Sequence, residues 1–329
     1  MKEFKEYEGP FIHTKETYKK IMFSYIITFV PFFVYNFYMN GIIKWQASKN
    51  ISDLFYPFIF TFLPLLLVLI FETIYKMIFI KNQTFKNYLK ENFSIFSILF
   101  FPFLLKINTP LYIIILSVIL GYLLYKILFK KWYSLTILSY LIYLILGLLN
   151  PNYLEILKIL PINYNYLVTS NGGFMNLLLN GSNLMCPIIT ILAFVYLYIK
   201  KDNKYQITIS ALITILFITT IIGLLNKSIW FPLYFILTGG TLFITTILAS
   251  DFYSPATKGG KIMYGALIGL LIILIRFISN YNIAPFSIFI ANTFTFALDY
   301  INEFLNKKII YLTYTLLVIL EIVLITIFI

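Results

Sequence analysis

Apolar runs of about 20 residues follow one another along almost the whole chain, parted only by short polar breaks, and this pattern removes most folds from consideration. A run of that length matches the thickness of a bilayer's hydrocarbon core when it is coiled as an α-helix. Lipid offers no partner for backbone N–H and C=O groups, so a helix that satisfies them internally is the natural state of such a segment. The pattern yields about eleven spans. They are Ile21–Met39, Leu54–Ile78, Phe93–Leu105, Pro110–Phe129, Tyr133–Leu149, Leu184–Ile199, Ile207–Leu225, Ile229–Leu248, Ile262–Ile278, Ile283–Tyr300 and Ile309–Ile329. Phe93–Leu105 is short for a full crossing, so it is broken, kinked at Pro102 or re-entrant. With 60% hydrophobic and 12% charged residues in 329, the chain has too little polar surface to coat a soluble globule. The expected fold class is all-α: a polytopic transmembrane helical bundle.

The net charge of +12 would suggest a nucleic-acid partner in a soluble protein. Here the basic residues alternate between successive connections. With the N-terminus inside, 19 of the 25 Lys and Arg fall in inner connections. This positive-inside bias predicts a cytoplasmic N-terminus and accounts for the charge without nucleic acid. Residues 1–20 then read as a cytoplasmic segment leading into an uncleaved anchor. Cys186 is the only cysteine, which excludes an intrachain disulfide, a thiolate cage and a dithiol redox centre.

Residues 150–183 form the longest polar connection, on the predicted outer face, and divide a first transmembrane half (21–149) from a second (184–329). Connections longer than about 15 residues are usually functional or disordered. Five spans before the loop and six after it would invert one half relative to the other, an arrangement found in transport folds. The last helix is an addition to the second half.

The most informative stretch is Leu237–Tyr300. Gly239 and Gly240 permit close approach of a backbone or a flat ligand. Asp251, Ser254, Pro255, Thr257, Gly259 and Gly260 make a polar turn flanked by Lys258 and Lys261. Arg276 and Asp299 lie near the ends of later spans. The order Gly239, Gly240, Ala249, Asp251, Ser254, Pro255, Thr257, Gly260, Lys261, Tyr264, Gly265, Leu267, Ile268, Gly269, Leu274, Ile275, Arg276, Asn292, Asp299 resembles the membrane-subunit family of the Rnf complex D subunit and the sodium-pumping NADH:quinone oxidoreductase B subunit. The segment GPFIHTKETYKKIM, with His13 as the only histidine, resembles that family's entry to its first span, and Asn180, Gly181 and Ser182 stand where the family has a Gly/Ser/Glu stretch.

The resemblance implies a membrane subunit that passes electrons between ferredoxin and NAD through flavin, coupled to movement of Na+ or H+. Its partners would be other membrane, iron-sulfur and flavin subunits and membrane lipid, in a bacterial inner membrane. It implies FMN, with riboflavin as the other flavin, and points to Thr169, Ser170, Gly239, Gly240, Asp251 and Lys261 as cofactor-binding residues. Departures from the pattern are chemical. Tyr125–Tyr140 lacks the family's glycines, and Phe252 replaces a proline. The family joins FMN through its phosphate to a threonine, and Gly172 occupies that place here. Glycine has no oxygen to esterify, although Thr169 and Ser170 offer hydroxyls two or three residues away. The expectation is therefore a flavin held noncovalently.

Carboxylates within spans cost roughly 2.5 to 3.5 kcal/mol each and need a partner or a task. Glu72 has Lys76 one turn later, which suggests a helical ion pair. Glu72 and Asp299 are the candidate ion-pathway residues, with interface solvation the other account of Asp299. Glu321 reads as a packing or partner contact. A flavin-less scaffold or solute-conducting bundle is the alternative function. A glycan polymerase or ligase is disfavoured, because residues 150–183 carry neither arginine nor histidine.

Overall fold

The computed structural model describes residues 18–80, 88, 97–129, 133–150, 173–180, 184–200, 202–250, 253–279, 284–304, 315, 318–319 and 323. All regular structure among them is helical. Helix α1 (Tyr18–Phe37) runs through a π-turn (Tyr38–Ile42) into α2 (Ile43–Ser48), and α3 (Ile51–Phe79) follows. A 3₁₀ turn (Ile98–Phe100) leads into the one-turn α4 (Phe101–Leu104). Helix α5 (Leu111–Leu124) ends in a second π-turn (Tyr125–Phe129) and precedes α6 (Leu135–Leu149). The later elements are α7 (Gly173–Asn180), α8 (Pro187–Lys200), α9 (Tyr205–Leu225), α10 (Phe231–Leu237) and α11 (Thr241–Phe243), which continues as a third π-turn (Ile244–Leu248). Helices α12 (Lys258–Ile278), α13 (Phe286–Thr293) and α14 (Thr295–Phe304) complete the order.

Among the described residues, five helices are long and apolar enough to cross a membrane: Phe23–Ser48, Ile51–Phe79, Leu111–Leu128, Tyr205–Leu225 and Lys258–Ile278. The pair Phe231–Leu237 and Thr241–Leu248 makes a sixth if its two parts are counted as one span, while α6 and α8 are apolar but shorter. The chain is thus a polytopic helical membrane protein. Helix α3, with 29 residues, is ~44 Å long and exceeds a hydrocarbon core of about 30 Å, so it must tilt or project.

Three predicted spans are short or interrupted in the structure, the first of them as its length suggests. Of Phe93–Leu105, only Ser97–Leu104 is helical among the described residues. Ile283–Tyr300 is two short helices parted at Phe294, where the Thr293 hydroxyl bonds back to the Ile290 carbonyl at 2.6 Å and weakens the helical ladder. Ile229–Leu248 is bent by 65°. Ile309–Ile329 lies almost wholly outside the described residues.

Two packing features place the bend. The first is aromatic: Phe32 of α1 meets Phe103 of α4 at 5.5 Å and Phe243 of α11 edge-on at 5.3 Å, and Phe100 meets Phe243 at 5.9 Å. The second is close backbone contact between α9 and α12. Gly265 and Gly269, four residues apart on one face of α12, lie against Ile207, Ser210, Ala211 and Thr214. A Cβ on Gly269 would come within 2.9 Å of the Ala211 carbonyl oxygen, and one on Gly265 would overlap Ser210 and the Ile207 carbonyl.

Candidate functional site

The bend between α10 and α11 falls on Thr238, Gly239 and Gly240. Both glycines are left-handed, with φ of 62° and 71°, a region that suits residues without a Cβ. The break leaves the last carbonyls of α10 without intrahelical donors, at the negative end of that half-helix. Arg276, buried near the end of α12, supplies them. Its Nη1 donates to the Phe235 carbonyl at 2.6 Å, to the Thr238 carbonyl at 3.3 Å and to Thr241 Oγ1 at 2.9 Å, while Nη2 donates to Thr238 Oγ1 at 2.9 Å. The guanidinium also lies 3.9 Å from the Phe235 ring centroid. A buried cation is thereby met by carbonyl and hydroxyl dipoles.

This geometry bears on a flavin. A Cβ at Gly239 would sit 3.0 Å from Arg276 Cζ, and one at Gly240 would be 2.7 Å from the Met185 sulfur. The notch that Gly239 and Gly240 open is filled by the protein's own side chains, so a flat ring does not fit there. Lys261 is in the first turn of α12, ~22 Å along the helix from Arg276. Gly239, Gly240 and Lys261 therefore do not form one pocket. Thr169, Ser170 and Asp251 lie outside the described residues.

At the Lys258 end of α12, Asp299 acts as a cap. It accepts hydrogen bonds from the Ala256 and Thr257 amides at 3.0 and 3.1 Å and from the Thr257 hydroxyl at 2.6 Å, and Thr257 Oγ1 in turn accepts from the Gly260 amide. Asp299 lies on α14, which is not among the described helices long and apolar enough to cross a membrane. Burial raises its pKa, but the Thr257 hydroxyl, the two amides and the nearby Lys204 charge outweigh burial and lower it on balance. Lys204 reaches across to Ser254, whose hydroxyl and carbonyl accept at 2.7 and 3.0 Å.

Glu72 is fully buried, and its partner differs from the expected one. Lys126, in the π-turn after α5, donates to Glu72 Oε2 at 3.0 Å, and Tyr88 donates to the same oxygen. Lys76, one turn away on the same helix, is the partner that spacing suggests. The packing of α5 against α3 brings Lys126 instead, and the Lys126 ammonium stands 4.3 Å from the Tyr75 ring centroid with Tyr122, Tyr88 and Tyr125 around it. The Tyr125 hydroxyl meets that of Tyr253 at 3.2 Å. Sequence reasoning misses Lys126 because it counts with the inner-face lysines. Its position inside an apolar run dense in tyrosine is the available signal.

Known proteins resemble this chain over part of its length. It is 33% identical over 104 residues to the D subunit of the ion-translocating oxidoreductase complex of Mannheimia succiniciproducens, covering 31% of this chain and 29% of that protein. It is 28% identical over 155 residues to the protein of the same description from Buchnera aphidicola subsp. Baizongia pistaciae, covering 43% of this chain and 38% of that one. The matched stretches thus span well under half of these relatives. A family model covers far more, matching residues 6–130 and 148–307 and so taking in the ion pair, the broken helix, its arginine and the Asp299 cap, and on that coverage the chain belongs to the NQR2, RnfD, RnfE family.

Proposed function

We propose that the chain is a D-type membrane subunit of an Rnf-like complex that couples electron transfer between ferredoxin and NAD to translocation of Na+ or H+. The observation that carries this reading is the match of the family over residues 6–130 and 148–307, supported by relatives described as subunits of an ion-translocating oxidoreductase complex. The membrane is the bacterial inner membrane, with the N-terminus on the cytoplasmic side by the positive-inside bias. The partners are iron-sulfur and flavin subunits of the same complex. The chain's own part is to hold a broken helix whose freed carbonyls are met by Arg276, in keeping with the rule that irregular backbone at membrane depth is tolerated where protein buries it, and to supply carboxylates to the ion route.

Within this reading Glu72 and Asp299 serve the ion route. Asp299→Asn leaves the complex assembled, because the cap is worth about 1 kcal/mol, and lowers ion-coupled turnover. Pumping at the wild-type rate in Asp299→Asn vesicles would leave Asp299 as a cap alone.

Flavin is proposed from kinship, at residues 150–183 and not at the glycine notch. The chain purified apart from its partners in mild detergent should show flavin absorbance that bleaches on reduction, and the denatured chain should show no fluorescent band in a gel. FMN bound covalently to the peptide carrying Thr169 and Ser170 would overturn the noncovalent assignment. A flavin-free native chain would favour the second reading, a membrane scaffold, for which the glycine at position 172 argues.

A further inference from the structure

The turn between α8 and α9 buries acceptor oxygens with nothing to accept. Asp202 Oδ1 and Oδ2 and Asn203 Oδ1 are closed off from solvent and have no hydrogen-bond partner. Such groups are rare, because a buried oxygen without a donor retains its full desolvation cost. The orientation of the Asn203 amide is not arbitrary. Its Nδ2 donates to the Thr246 carbonyl at 3.0 Å, and turning the amide over would set one carbonyl against another. The free oxygen is therefore held as an acceptor in a residue that is only 6% exposed. Among the described residues, the lysines that flank this turn in sequence have other contacts: Lys204 bonds Ser254, and Lys200 stands 6.0 Å from the Tyr196 ring centroid.

These three oxygens, on consecutive residues with one formal negative charge and no nitrogen or sulfur among them, have the chemistry of hard-cation ligands. Among the described residues no group of three or more His, Cys, Asp or Glu could hold a metal ion, which argues against a transition metal. A single carboxylate beside Lys200 and Lys204 also suits a monovalent ion better than a divalent one. Asn203 fixes this turn to Thr246, in the π-turn that continues α11, and the Thr208 hydroxyl donates to the neighbouring carbonyl, that of Thr245, at 3.1 Å. An ion at the turn would thus be joined by two side-chain bonds to the broken helix.

We infer that Asp202 and Asn203 form a binding site for a monovalent cation, with Na+ as the probe, at the α8–α9 turn. This deepens the proposed ion-translocating function and rests on it for its purpose, but not for its test. The full chain in detergent is heated in NaCl, KCl or choline chloride at equal ionic strength, with no electron donor present. Sodium should raise the melting temperature above choline. In Asp202→Asn the sodium concentration giving half of that shift should rise about tenfold or more, the scale of losing one charged contact, while Asp202→Glu retains part of the response. The wild-type and Asp202→Glu titrations decide the matter even if Asp202→Asn does not fold. Equal melting in sodium and choline, or an unchanged response in Asp202→Asn, would overturn the site. Failure of the electron-transfer reading would leave the sodium shift in place, whereas failure of the site would leave turnover in place and remove the shift.

Discussion

Glu72→Gln should destabilise the chain by about 3–5 kcal/mol, the largest effect expected of a single substitution here, because it leaves the Lys126 ammonium buried among tyrosine rings without a counter-charge. The pair itself is a different matter. Taking two charges out of water offsets most of their attraction, so replacing both with apolar groups of similar size is close to neutral. The double variant Glu72→Leu with Lys126→Met should therefore recover most of the stability lost in the single one. Thermal unfolding of detergent-solubilised protein, followed by intrinsic fluorescence, checks both. If Glu72→Gln melts like the wild type, the ammonium has found another partner or has lost its proton, and the Glu72–Lys126 pair is not what holds α3 to α5. If the double variant is no better than the single one, Glu72 contributes something that packing cannot replace, as an ion-route carboxylate would.

The second large effect concerns Arg276. Arg276→Met removes the guanidinium donors, leaving the Phe235 carbonyl only the Thr241 hydroxyl at 3.2 Å and the Thr238 carbonyl only the Thr241 hydroxyl and amide at 3.1 and 3.3 Å. With the buried Thr238 and Thr241 hydroxyl oxygens losing the donor they accept from, and one Thr241 hydroxyl left to serve two carbonyls, the expected loss is on the order of 2–3 kcal/mol. Arg276→Lys should recover only part of it, since an ammonium cannot span Nη1 and Nη2 contacts that a planar fork makes at once. Gly239→Ala approaches the same fault from the other side. It places a methyl 3.0 Å from the guanidinium carbon at a φ of 62°, which disfavours any residue with a Cβ. Melting temperatures should therefore order as wild type, Arg276→Lys, Arg276→Met. Equal melting for the lysine and methionine variants would mean that charge, and not the fork, is what the broken helix needs.

These two sites show what a sequence can and cannot disclose in a membrane bundle. The spans are legible because hydropathy is a sum over neighbours in the chain, and a long enough sum decides the matter. Helix ends and breaks are less so: Phe294 interrupts a segment whose hydropathy reads continuously, and the 65° bend sits inside another. Partners across the bundle are hidden altogether. The i,i+4 rule proposes Lys76 for Glu72 because it knows only the helix surface, whereas the actual partner is 54 residues away. Gly239, Gly240 and Arg276 each stand out in the sequence, yet their direct contact does not, since nothing in the chain says that residue 276 returns to residue 239. Asp299 is legible as a carboxylate with a task. The donors it serves, at Ala256 and Thr257, need coordinates. Asp202 and Asn203 escape notice because a lysine-rich connector reads as solvated, and only burial without partners separates them from ordinary polar residues at a surface.

The contact of Gly265 and Gly269 with α9 also constrains motion. Helices whose backbones touch cannot slide or roll past one another without first separating, because no flexible side chain lies between them to absorb the change. Helices α9 and α12 therefore behave as a single slab. Arg276 is carried on that slab, its bonds all end on the bent helix, and the start of that helix is itself held close to α9 at Gly223, where a Cβ would come within 2.6 Å of the Ser228 carbonyl oxygen and 3.3 Å of Phe231 Cβ. The guanidinium thus ties the end of α10, the break and the start of α11 to α12 at one point, so the 65° bend is fixed from outside the helix that makes it.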